Sequence, residues 1–277
     1  MSYIDTHVHL DQKEFASDRD EVLRRSREAG VDAVICAGVS AASSRAIIML
    51  AQARAKSFGA GASSVDQSDS TEFYAAVGIQ PNSCAEATEG DWPAIVAMAE
   101  EPRVVAIGET GLDRYWDYSP IELQREYFDR HLELASKLDL PIIIHCREAE
   151  EDLLPMLRSA ADRQPFRGVI HSFSGDTSFA QSCLELGLYI SFAGAVTYRN
   201  RKFGTLREAA KTIPDDRILI ETDSPYLMPH PLRGKVKRNE PANIAHTAAC
   251  LAELRGAGLE RFAALTTANA QRLFGLA

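Results

Sequence analysis

Short β-branched runs alternate with longer amphipathic stretches along nearly the whole chain, and this alternation constrains the fold more than any other feature of the sequence. The strand-like runs are Tyr3 to His9, Val31 to Ala37, Phe73 to Ile79, Val104 to Glu109, Ile142 to His145, Gly168 to His171, Leu188 to Ser191 and Ile218 to Asp223. Helix-like segments lie between them at Arg19 to Ala29, Ala41 to Lys56, Trp92 to Glu101, Ile121 to Leu138, Glu150 to Ala160, Phe179 to Leu186 and Leu206 to Thr212. Eight such units predict an α/β fold, a parallel (β/α)8 TIM barrel. No Gly-x-Gly-x-x-Gly follows the first strand to favour an open dinucleotide-binding sheet. The alanine-rich tail from Pro241 onward has a helical period and a helix-ending glycine at Gly275, and is expected to cover the barrel without contributing chemistry. Residues 59–70 are small and polar and are expected to form a flexible insertion loop inside a single domain spanning residues 1–277.

Composition narrows the function classes. A chain of 277 residues can bury about three quarters of its unfolded surface in one core. None of its apolar runs reaches the roughly 18 residues of a membrane span, and the N-terminus lacks a basic start followed by an apolar stretch, so a cytoplasmic protein with no membrane partner is expected. The cysteines Cys36, Cys84, Cys146, Cys183 and Cys250 are scattered and never form Cys-x-x-Cys, which argues against a disulfide framework and a thiolate zinc site. Cys146 adjoins His145, but neighbours in a strand face opposite sides, so it reads as a packing residue. A formal net charge of -9 disfavours a polyanionic partner unless bound cations offset it locally.

The position of the ligand-type residues decides between function classes. In a (β/α)8 barrel the active site lies at the carboxyl ends of the strands. Here the first strand ends in His7 and His9, the fourth in Glu109, the fifth in His145, the sixth in His171 and the eighth in Asp223. His7 and His9 are two apart, so both imidazoles share one face of a strand. His131, His230 and His246 fall in helices or a loop and read as solvated or helix-surface histidines. Six ligands exceed what one four-coordinate ion with an open position can use, so two divalent ions bridged by a carboxylate are expected. Glu109 is the expected bridge, with His7, His9 and Asp223 around one ion and His145 and His171 around the other. Imidazole and carboxylate ligands suit zinc or manganese, and accept magnesium where phosphate oxygens complete the shell.

The segments His7-x-His9, Ile107-Gly-Glu-Thr-Gly-Leu-Asp113, His145-Cys-Arg-Glu-Ala149, His171-Ser-Phe-Ser-Gly175, Glu221-Thr-Asp-Ser-Pro-Tyr-Leu227 and Asn269 to Gly275 resemble the TatD family of metal-dependent deoxyribonucleases over essentially the whole chain. The resemblance implies a barrel hydrolase of the amidohydrolase superfamily with divalent-metal nuclease activity, often a 3′-to-5′ exonuclease on DNA, and the same six ligands. The chain departs from the family at Gln80 and Asn82, where histidines are common, and in its polar insertion.

Metal-assisted hydrolysis of a phosphodiester follows as the expected reaction, with DNA or RNA as substrate and a monomer as the expected state. Glu109 and Asp223 are the catalytic candidates, Asp223 as a ligand that can also orient and deprotonate the attacking water. Glu221 shares a strand face with Asp223 one layer deeper and is expected to support the ligands from behind. The runs Tyr198-Arg-Asn-Arg-Lys202 and Arg233-Gly-Lys-Val-Lys-Arg238 are basic loops at a position where barrels often bind phosphate. Arg199 and Arg201 there, and Arg147, Ser172 and Ser174 beside the ligands, are the substrate-binding candidates, while Tyr198 and Tyr226 are candidates to stack a base. Two other readings share these residues: carbonyl hydrolysis of an ester, lactone, amide or aminoacyl-tRNA, and a metal-stabilised binding scaffold.

Overall fold

The computed structural model describes residues 1–59 and 71–276, so all but the first residue of the expected insertion loop lies outside the described residues. In chain order the elements are β1 Tyr3–Val8, α1 Arg19–Glu28, β2 Val31–Ala37, α2 Ala41–Gly59, β3 Glu72–Val77, α3 Asp91–Met98, β4 Val104–Asp113 and α4 Ile121–Leu138. They continue as β5 Ile142–Arg147, α5 Glu150–Arg163, β6 Gly168–Ile170, α6 Thr177–Glu185, β7 Tyr189–Phe192, α7 Gly204–Thr212, β8 Ile218–Ile220, α8 Ile244–Leu254 and α9 Leu259–Phe274. The eight strands are all parallel and pair in sequence order, as a (β/α)8 barrel requires. Beyond β8 the ring closes onto β1 through Asp223 N–H to His7 O at 3.0 Å and His9 N–H to Ser224 O at 2.8 Å. No helix among the described residues is long and apolar enough to cross a membrane.

Two apolar layers follow from strand alternation. One side of the strands packs against the helices through residues such as Val34, Cys36, Ile144, Ile170 and Ile190, and Cys146 belongs to this layer. The opposite side fills the barrel with Ile4, Ala33, Ile35, Ala76, Ala106, Ile143, Val169, Tyr189 and Leu219. Ala270, Leu273 and Phe274 of α9 close the lower end of this filling. Asn269 fixes α9 beneath β8, its Nδ2 donating to Asp215 O at 2.8 Å and Ile218 O at 2.9 Å. Gly275 then ends the helix with φ +66°, a left-handed conformation that costs glycine little. The tail is thus the cover expected from its sequence, and it plugs the barrel from below.

At β1 and β4 simple alternation fails. Asp5 pairs with Val34 and Val8 with Cys36, so three steps along β1 match two along β2. Ile107 pairs with Ile142 and Thr110 with Ile144, the same excess of one residue on β4. One extra residue reverses which side chains face inward beyond it. Tyr3 and Val8 accordingly both pack outward although they are five residues apart, and so do Ile107 and Leu112. Strict alternation from Ile4 and Ala106 would have sent His7, His9 and Glu109 towards the helices; the two bulges bring them inside. Strand β4 also runs four residues past Glu109, which lies within the strand rather than at its end, correcting the boundary read from the sequence.

Candidate metal centre

At the carboxyl end of the barrel the six expected ligands converge. Glu109 sits at the middle, 3 % exposed, with its two oxygens turned to different partners. Its Oε2 lies 3.3 Å from His7 Nε2 and 3.6 Å from His9 Nε2, and its Oε1 lies 2.8 Å from His145 Nδ1 and 3.1 Å from His171 Nε2. Asp223 Oδ1 approaches the first group, 3.5 Å from His9 Nε2 and 3.9 Å from His7 Nε2. Asp223 has φ +55°, a left-handed conformation unusual for a residue other than glycine, and the β8–β1 closure holds it there.

The outward-facing nitrogens explain the orientation of the rings. His9 Nδ1–H donates to Ala37 O at 3.0 Å, and His145 Nε2–H donates to Asp113 Oδ2 at 2.9 Å. His171 Nδ1 lies 3.4 Å from Glu221 Oε1, and Glu221 also accepts from the Ser172 backbone N–H at 2.6 Å. The first two contacts place a proton on the outer nitrogen and turn a lone pair towards the centre, whereas His171 Nδ1 makes no hydrogen bond among the described residues. His7 Nδ1 is buried without a hydrogen-bond partner among the described residues, and its ring stacks on His171 with centroids 3.9 Å apart. His7 Nε2 and His9 Nε2 face each other at 3.1 Å.

Lone pairs and carboxylates that converge without donors need positive charge between them. Protons supply it when nothing else does. Burial alone would lower the pKa of His9, yet the hydrogen bond it donates to Asp223 and the charges of Glu109 and Asp223 raise it to about 9. Burial would likewise raise the pKa of Glu109, but the charge of His171 and hydrogen bonds from the imidazoles hold it well below the usual carboxylate range. The same donor set, two imidazole-rich groups sharing one carboxylate, fits divalent cations. His7, Glu109 and His171 form one group of converging ligand atoms, and His7, His9 and Asp223 another.

Asp113 is the member that reading the sequence motif by motif leaves without a role. Its Oδ2 accepts from His145 Nε2 and, at 3.1 Å, from Asn82 Nδ2, while its Oδ1 accepts the backbone N–H groups of Tyr115 at 2.9 Å and Trp116 at 3.0 Å. Glu109, Gly111 and Asp113 lie two apart on one strand face, a signal visible only once β4 is extended. Gly111 at the middle of the series has φ +139°, and a Cβ there would stand 2.0 Å from His145 O, so only glycine lets β5 approach. His131 is buried rather than solvated, correcting the reading of it as a surface histidine. Its Nδ1–H donates to Tyr127 O at 2.6 Å and its Nε2 accepts from Ile79 N–H at 3.0 Å, which anchors the chain just before Gln80 and Asn82. The other two, His230 exposed and His246 half-buried, stand apart from the centre.

The substrate-binding candidates divide. Ser172 is half-buried next to His171, and Arg147 is exposed at the end of β5 with its guanidinium carbon 3.9 Å over the Tyr115 ring. Ser174, Arg199 and Arg201 are exposed and share no hydrogen bond or ion pair with the cluster among the described residues. The second basic run is partly consumed: Arg238 pairs with Asp18 at 2.7 Å, and Arg233 lies 4.0 Å over the ring of Tyr198. Tyr198 is buried and is packing, not a stacking surface, whereas Tyr226 is 52 % exposed and 6.1 Å from the His9 ring.

A family profile described as TatD-related DNase matches residues 4–275. The chain is 38% identical over 272 residues to an uncharacterized metal-dependent hydrolase, YabD, of Bacillus subtilis, covering 98% of each chain. It is 36% identical over 274 residues to the 3′-5′ ssDNA/RNA exonuclease TatD of Citrobacter rodentium, covering 98% of this chain and 97% of the other. The crystal structure of YJJV, a TatD homolog from Escherichia coli, superposes with a TM-score of 0.86 at 28% identity, covering 99% of this chain and 98% of that one.

Proposed function

The chain belongs to the family of TatD-related deoxyribonucleases, and from that premise we propose that it is a two-metal phosphodiesterase that shortens single-stranded DNA or RNA from the 3′ end. The observation that carries the proposal is Glu109, whose two oxygens each face a separate pair of imidazoles. His7, His9 and Asp223 would hold one divalent ion, magnesium, manganese or zinc, and His145 and His171 the other, with Glu109 shared. When bound, the ions supply Lewis-acid charge at a phosphoryl oxygen and acidify a water.

The chain's own residues supply the rest. Asp113 and the Ala37 carbonyl fix His145 and His9 so that their inner lone pairs point at the centre. Glu221 supports His171 from behind, and its hydrogen bond from Ser172 N–H holds the β6 terminus beside the centre. The Asp223 carboxylate, at the mouth and more exposed than Glu109, takes the proton of the attacking water as the new oxygen–phosphorus bond forms and the bond to the leaving sugar oxygen breaks. Arg147 and Ser172, close in sequence to His145 and His171, would donate to phosphate oxygens. In this reading residues 1–277 act as one catalytic unit, monomeric and cytoplasmic.

The test is release of mononucleotides from 3′-labelled and 5′-labelled single-stranded DNA by metal-stripped protein, with each metal restored separately. Stepwise 3′ release that requires metal and is lost in Asp223→Asn is expected. Metal-dependent cleavage of esters or aminoacyl-tRNA without any cleavage of DNA or RNA would replace the phosphodiesterase reading with carbonyl hydrolysis.

A further inference from the structure

The loop that follows β4 carries Tyr115, Trp116 and Tyr118 at 49%, 43% and 63% exposure, the densest group of exposed aromatic side chains on the described surface. Folding alone gives no reason to leave three large rings in water, since burying each would be favourable. The rings are also ordered relative to one another. Tyr115 and Trp116 meet edge to face with centroids 4.8 Å apart, and Trp116 and Tyr118 stack at 24° with centroids 5.6 Å apart. Arg147 lies over Tyr115 at 3.9 Å and within 5.8 Å of Trp116, which adds positive charge to an apolar surface.

The loop's position gives the group a direction. Asp113 Oδ1 holds the N–H groups of Tyr115 and Trp116, while Oδ2 of the same carboxylate holds His145. Arg114 N–H donates to Arg147 O at 3.0 Å, which ties the loop to the end of β5 two residues beyond His145. The backbone that carries Tyr115 and Trp116 is therefore tied to the rim of the metal centre. We propose that Tyr115, Trp116 and Tyr118, with Arg147, form a stacking platform for the unpaired bases next to the phosphodiester at the centre. This deepens the phosphodiesterase reading and rests on it. Unpaired bases offer free π-faces to such a surface, whereas bases in a duplex are already stacked, so the platform selects single strands without reading their sequence. Arg147 neutralises a backbone phosphate and presents a planar cation beside the rings.

Trp116 and the half-buried Trp92 are the only tryptophans in the chain, so intrinsic fluorescence reports on the platform directly. The experiment uses the full chain with chelator present, which separates binding from cleavage. Single-stranded hexathymidylate is compared with an abasic backbone of the same length and charge, and with a duplex. Hexathymidylate is expected to quench the emission and to bind about tenfold more tightly than the abasic strand. That preference, read in the variants by the fluorescence anisotropy of dye-labelled strands because they lack the Trp116 signal, should vanish in Trp116→Leu, which keeps apolar bulk but removes the ring system, and survive in Trp116→Phe. Equal binding of the two strands by the unsubstituted protein, a preference unchanged in Trp116→Leu, or self-association of the protein through this face would overturn the proposal. Metal-dependent hydrolysis of bis(p-nitrophenyl) phosphate, a diester without bases, tests the phosphodiesterase reading separately, so failure of either idea is recognisable on its own.

Discussion

At the lower end of the barrel Ile4, Ile35, Ile143, Val169 and Leu219 meet Leu273 and Phe274 of α9 in an apolar filling; at the upper end four imidazoles and two carboxylates meet with little between them but lone pairs. The same strands build both. The lower end gains free energy by excluding water, and the upper end holds charges out of water at a cost that a bound cation would offset. Stability and chemistry are thus assigned to opposite ends of one set of strands, and each end can be perturbed with little direct effect on the other.

The largest effect expected is from Glu109→Ala. It should lower phosphodiester turnover by about a thousandfold or more and reduce the bound metal, measured by elemental analysis, while the unfolding temperature in chelator changes little. A variant that keeps full turnover and metal would remove the shared-carboxylate arrangement. The converse change is Phe274→Ala below. Denaturant unfolding should show a loss of about 3–5 kcal/mol, with the metal content of the folded protein unchanged. Loss of metal there would break the separation of the two ends.

A smaller effect tests the groups behind the upper end. Burial lowers the pKa of His131 to about 4. Between the ordinary value of about 6.5 and that pKa, the folded protein keeps His131 neutral while the unfolded chain takes up a proton, so this histidine's contribution to stability is present above about pH 6.5 and is lost as the pH falls towards 4. The loss amounts to about 3 kcal/mol at most, and urea midpoints of the metal-free protein at two pH values should show it shrinking in His131→Gln. The smallest effect is expected outside both ends: Arg199→Ala with Arg201→Ala should raise the KM for single-stranded DNA about threefold and flatten its salt dependence by roughly one unit of slope. An unchanged salt slope would make that basic run a solvated surface.

How much of this could be read from the sequence depends on what each residue's geometry requires. The order of strands and helices was legible because a parallel barrel repeats one pattern, and Phe274 and Gly275 marked the final helix by period and stop signal. His145, His171 and Asp223 follow from strand position alone. His7, His9 and Glu109 were found by their position too, but their inward direction was not legible, because it depends on single extra residues in β1 and β4 that show only in pairing with a neighbour. Asp113 is not legible as a site residue because the strand-like run ends at Glu109 in the sequence, whereas β4 continues to Asp113. His131 escaped because burial of a polar helix residue depends on a distant acceptor and donor, Tyr127 O and Ile79 N–H, that periodicity does not reveal. Tyr198 and Arg238 looked like substrate contacts on composition, and the fold instead occupies them with Arg233 and Asp18.

The double attachment of Asp113 has a consequence for how such a protein diversifies. Loops at the mouth of a barrel are ordinarily free to lengthen, and new specificities arise by insertion. Here the first residues of the β4 loop hang from the carboxylate that also orients His145, so an insertion that released them would disturb the reactive end as well. Variation at this loop is therefore channelled into exchanging side chains on an unchanged backbone, which makes positions 115, 116 and 118 the natural place to search for functional divergence among related chains.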